Sequence, residues 1–120
     1  MSLSSQPDVQ SIHRQIPKVA HKIKPLLTTT PLLHSPYYSD LTGANVFFKY
    51  ENLQATGSFK IRGAAAKLMG MSKETIANGI VTASTGNHGK AVAFAAQSLE
   101  VTPTIYAPTG TDPVKSAAIT

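Results

Sequence analysis

The chain has 120 residues, room for one domain at most, and 42% of them are hydrophobic, enough for a packed core. There is no cysteine, which excludes a disulfide framework, a thiolate nucleophile and a thiolate metal site, and fits a cytoplasmic protein. The net charge of +5 does not make a nucleic-acid surface: arginine occurs only at Arg14 and Arg62, and no basic stripe is interleaved with aromatics.

The longest unbroken apolar run, residues 91–96, is far too short to span a membrane. In the first 24 residues Arg14, Lys18, Lys22 and Lys24 oppose only Asp8. This reads as a solvated helix face, with a mitochondrial transit segment as the alternative. Asp8 is placed to cap a helix whose apolar stripe is Val9, Ile12, Ile16, Val19 and Ile23. Pro17 predicts that this helix stops near residue 15 and then kinks or restarts.

Residues 26–38, with Pro25 just before them and Pro31 and Pro36 within, read as extended loop or short edge strand, and residues 42–45 as a turn. A strand over 46–51, moderately buried on both faces, and a loop over 52–57 come next. A helix over 58–69 ends at Gly70, and a short one runs from its cap Ser72 to Asn78, where Gly79 stops it. Residues 80–83 form a buried strand, 87–99 a helix apolar on most sides, and 103–107 another strand; Asp112 caps a last helix. Strands alternating with helices predict an α/β fold with a parallel sheet covered on both faces.

Two runs carry the chemistry. Ser84, Thr85, Gly86, Asn87, His88 and Gly89 join a strand to a helix N-terminus, at the end of a parallel strand where open α/β folds bind ligands. Backbone N–H groups and the helix dipole make an anion site there, and Gly86 and Gly89 let a ligand come close. The run lacks the Gly-x-x-x-x-Gly-Lys-Ser/Thr pattern of a P-loop, because Ala91 follows Lys90, and it is not a dinucleotide fingerprint. Upstream, Ser58, Phe59, Lys60, Ile61, Arg62, Gly63 and Ala64 place a lysine at a turn-to-helix junction beside aromatic and small residues. Free lysine titrates near 10.4, and an apolar cleft favours the neutral amine that attacks an aldehyde. A reactive lysine paired with a carboxylate-gripping loop is what a pyridoxal phosphate (PLP) enzyme needs, the lysine forming a Schiff base with the cofactor.

Residues 51–64 resemble the cofactor-lysine region of fold type II (tryptophan synthase β-like) PLP enzymes. The likeness runs over residues 30–115, and Ile61, where sister branches carry Asp, points to the threonine/serine dehydratase and serine racemase branch. The resemblance implies that Lys60 holds the cofactor and moves the Cα proton, and that Phe59 lines the ring pocket. It further implies that Asn87 contacts the PLP phenolic oxygen, and that Ser84, Thr85, Gly86 and His88, with Asn87, hold the substrate. Thr85 departs from the dehydratase Ala and the racemase Ser, and its hydroxyl is the candidate second acid/base.

The expected reaction removes water and ammonia from serine- or threonine-type amino acids to give 2-oxo acids. The alternatives are amino-acid racemisation and a non-catalytic remnant. The resemblance also implies a homodimer; the composition indicates no nucleic-acid or membrane partner, and no metal ligands are assigned among these residues. Residues 1–78 would begin the larger cofactor-binding domain and 79–120 the smaller mobile one. The phosphate cup and the pyridine-nitrogen partner would lie beyond Thr120, so the chain reads as an N-terminal fragment.

Overall fold

The computed structural model describes residues 8–113 and residue 117. Helix α1, Val9–Ile23, opens where the Asp8 carboxylate accepts the N–H of Ser11 at 2.6 Å. It runs unbroken through Pro17, contrary to the predicted stop. His13 and Pro17 are both exposed, so water can satisfy the carbonyl that the ring leaves without a donor. The apolar stripe is buried only toward its end: Val9, Ile12 and Ile16 are exposed, Val19 is half-buried and Ile23 is buried.

Strand β1, Leu32–His34, pairs antiparallel with β2, Phe47–Lys49, and Leu33 faces Phe48 in register. The pair departs from the all-parallel expectation: the connection over residues 35–46 brings the chain back along the same edge, and the N–H of Ser35 donates to the Val46 carbonyl at 2.9 Å. That connection holds an unforeseen helix α2, Pro36–Thr42, capped by Ser35 and closed by Gly43 at φ 70°. The ribbon is exposed on both faces rather than moderately buried, although Tyr38 meets Phe48 edge-on at 5.3 Å. Two strands alone cannot cover their own side chains.

A 3₁₀ turn, Glu51–Leu53, leads through the loop to helix α3, Lys60–Met69. Gly57 stands at φ 74° there and donates to the Gln54 carbonyl at 2.7 Å, a left-handed turn that aims the chain into α3. Gly70 ends α3 with right-handed geometry, φ −85°, rather than a left-handed cap, because the chain turns on directly toward α4, Lys73–Ala77. Ser72 caps α4 as expected, and Gly79, at φ 93°, follows its end.

Strand β3, Val81–Ala83, helix α5, Asn87–Gln97, and strand β4, Thr104–Tyr106, form a βαβ unit with parallel strands, Thr82 opposite Ile105. The strand expected to be buried is buried only at Ile80, just before β3; Val81 is 66% exposed, because among the described residues the pair carries a helix on one side only. Helices α3 and α5 make the most extensive contact in the fold. Their interface is built of small residues, with Ala64 and Ala65 against Ala91, Ala95 and Ala96, which lets the axes approach closely. Ile61, Leu68, Ile80, Val92 and Ile23 fill the core around it. No described helix is long and apolar enough to cross a membrane. Of the helix expected after Asp112, only residues 113 and 117 are described, both helical, and the rest lies outside the described residues.

Candidate active site

A cleft of about 680 Å³ lies between the first two turns of α3 and the start of the βαβ unit. Lys60, Phe59, Gly63 and Ala64 line one wall; Thr82 and His88 line the other. Lys60 is the first residue of α3, exposed at the mouth, with Nζ 5.0 Å from the centroid of the Phe59 ring. A Cβ on Gly63 would meet no atom within 4 Å, so the wall beside Lys60 has room for a flat ring. The apolar enclosure expected around the amine is partial: Ala64 lines the cleft, Ala65 is buried in the core away from it, and Phe59 is 59% exposed.

The 84–89 run follows β3 as predicted and starts α5. Ser84 does something the sequence did not reveal. Its Oγ accepts the N–H of Gly89 at 2.9 Å and of Gly86 at 3.2 Å, so it caps α5 from inside the loop. Of the expected substrate-holding set, His88 lines the cleft, its Nε2 3.2 Å from Thr82 Oγ1. Ser84, Thr85, Gly86 and Asn87 are not on the cleft wall. Thr85 and Asn87 are exposed on the rim, where the first backbone N–H groups of α5 have no carbonyl within the helix to bind. The structure therefore brings Lys60, Phe59 and His88 to one cavity and leaves the rest of the loop beside it.

Sequence reasoning passed over the group behind Lys60. Glu51 accepts Arg62 Nε and Nη2, both at 2.7 Å, the Thr30 hydroxyl at 2.7 Å and the Gln54 amide at 3.3 Å. The Arg62 guanidinium, joined by Thr30 and Gln54 and opposed by partial burial, brings the Glu51 carboxyl down to about 2. The same contact raises Arg62 above its ordinary range. Glu51 and Arg62 both lie inside the lysine motif, and their eleven-residue spacing was the available signal.

An exposed lysine at a helix start thus opens onto a cleft that the strand-to-helix loop of a βαβ unit borders. The sequence matches the family described as pyridoxal-phosphate dependent enzyme over residues 23–120, and the chain belongs to it. The family's cofactor is PLP. Among curated relatives, an L-threonine ammonia-lyase of Geobacter sulfurreducens is 43% identical over 78% of this chain and 23% of its own length. A serine racemase of Dictyostelium discoideum is 38% identical over 93% of this chain and 32% of its own. The crystal structure of that organism's serine racemase superposes with TM-score 0.82 at 36% identity, covering 88% of this chain and 35% of that one. A threonine deaminase isoform of Solanum lycopersicum gives TM-score 0.80 at 32% identity, covering 94% and 31%. The chain thus spans about a quarter to a third of the curated relatives it matches.

Proposed function

We propose that this chain is the lysine-bearing part of a PLP-dependent ammonia-lyase that converts serine- or threonine-type hydroxy amino acids to 2-oxo acids. The observation that carries the reading is Lys60 at the mouth of a cleft with open space beside Gly63. The residues present suit the cofactor: an amine for its aldehyde, small residues along one wall and His88 opposite. When bound, PLP supplies an electron sink for the bond broken at Cα.

The protein's part is then to bind, orient and move protons. Lys60 first anchors the cofactor and then, released by the incoming amino acid, takes the Cα proton on Nζ. The open N–H groups at the start of α5, with the Ser84 cap holding the loop, orient the substrate carboxylate beside the cleft. Asn87, at the same helix start, is assigned to the cofactor's ring oxygen. Departure of the β-hydroxyl, followed by hydrolysis, gives the 2-oxo acid and ammonia. Residues 79–120 are assigned to a mobile smaller domain whose movement excludes water, in a cytoplasmic homodimer.

Racemisation is the second reading, favoured by the Thr85 hydroxyl on the rim, since a second proton carrier is needed on the face that Lys60 cannot serve. The test supplies the protein with PLP and L-threonine or L-serine and measures 2-oxo acid, ammonia and D-serine. Release of 2-oxo acid supports the lyase, and D-serine in excess of it supports the racemase. Cofactor uptake without either product overturns both in favour of a non-catalytic remnant.

A further inference from the structure

Lys60 opens α3, yet among the described residues no side chain caps that helix. Phe59 occupies the cap position with helical backbone, and the N–H of Lys60 reaches Ser58 Oγ only at 3.4 Å. Arg62, the third helical residue, adds a cation at the positive end of the helix dipole, which taken alone loosens the start. Glu51 reverses this. Its two oxygens meet Nε and Nη2 of Arg62 in a paired contact that fixes the guanidinium plane as well as its distance.

The carboxylate is itself held from behind. The Thr30 hydroxyl and the Gln54 amide both donate to it, and Thr30 and Gln54 are 3% and 4% exposed. Gln54 also closes on the backbone of Thr28, accepting its N–H and donating to its carbonyl, each at 3.0 Å. The chain before β1, the 3₁₀ turn and the first turn of α3 are thus joined through one carboxylate. Arg62 is two residues from Lys60, about half a helical turn, so an immobilised Arg62 dictates where the Lys60 stem leaves the helix.

We propose that the Glu51–Arg62 pair, braced by Thr30 and Gln54, is a positioning device that orders the first turn of α3 and presents Lys60 to the cleft. The pair acts on Lys60 through the backbone, and Arg62 itself lines the cleft beside Lys60 and Gly63. The proposal deepens the reading of Lys60 as the cofactor lysine and rests on it.

The test compares the full chain with Glu51→Gln, Arg62→Lys and Ile23→Val. Ile23→Val thins the same core without touching the pair and serves as the control for lost stability. Two quantities are read: hydrogen exchange of backbone amides resolved along the chain without cofactor, and the share of pyridoxyl label on Lys60 after PLP and borohydride. Glu51→Gln should speed exchange over residues 62–66 by about tenfold while α5 is unchanged, and should lower labelling of Lys60. Arg62→Lys, which keeps the charge but loses the paired geometry, should fall between, and Ile23→Val should keep wild-type values at both readouts.

Indistinguishable patterns for Glu51→Gln and Ile23→Val, or no change in Glu51→Gln, overturn the proposal. If Glu51→Gln does not fold, Arg62→Lys against Ile23→Val decides by the same readouts. Wild-type label on another lysine overturns the cofactor reading and the proposal with it. Correct wild-type label with unaltered exchange in the variants overturns the positioning role alone.

Discussion

Glu51→Gln should cost stability in a way that depends on pH. The Arg62 guanidinium, with Thr30 and Gln54, moves the Glu51 carboxyl from an ordinary 4.5 to about 2. A tenfold change in proton affinity corresponds to about 1.4 kcal/mol, which sets a ceiling near 3 kcal/mol on what ionised Glu51 contributes to folding. The Arg62 side chain is 40% exposed, and solvent screening brings the expected contribution down to about 1–2 kcal/mol. A carboxyl whose folded value is depressed stabilises fully above its unfolded value, here 4.5, and loses that stabilisation as pH falls toward about 2. Glutamine cannot titrate. The wild type should therefore exceed Glu51→Gln by the full amount at neutral pH, and the gap should close across that acid window. Urea unfolding of both proteins over a pH series measures it, and added salt should narrow the neutral-pH gap. A gap that stays constant from neutral pH to about 2, or one that changes only above 4.5, refutes the reasoning.

Three further outcomes are expected. Gly57→Ala places a Cβ at φ 74° and should cost about 1–2 kcal/mol in urea unfolding; no loss would mean that the turn before Lys60 relaxes freely. Ile61→Ala empties a fully buried core site next to Lys60 in the chain and should cost about 2–5 kcal/mol, whereas a loss below about 1 kcal/mol would contradict a packed core there. Thr85→Ala should abolish D-serine formation and leave 2-oxo acid release largely intact; equal loss of both would make Thr85 a substrate ligand and end the separation of roles.

The lysine motif, the 84–89 loop and the βαβ unit were legible because each is local: turn chemistry, glycine placement and apolar runs act over a few residues. Helix α2 was equally legible and was passed over, since Ser35, Pro36 and Gly43 are its cap, first turn and stop, and the prolines around it suggested loop instead. Pro17 misled in the other direction, because a rule about interior proline weakens where the freed carbonyl can reach water. Burial was the least legible property. The apolar pattern of residues 46–51 and 80–83 says that these strands prefer partners, but which partners cover Phe47, Phe48 and Val81 is a tertiary matter. The same holds for Ser84 and Glu51: residue type announced polar function, and only the fold shows one capping α5 and the other holding Arg62.

The central claim is that Lys60 is the amine that takes the cofactor. Incubation of the protein with PLP, reduction with borohydride and mass mapping of the peptides measures this directly. The account predicts a pyridoxyl group on Lys60 and its absence in Lys60→Ala. A label on Lys49, whose Nζ is bound to the Thr30 carbonyl, or on Lys67, further along the cleft, would contradict it.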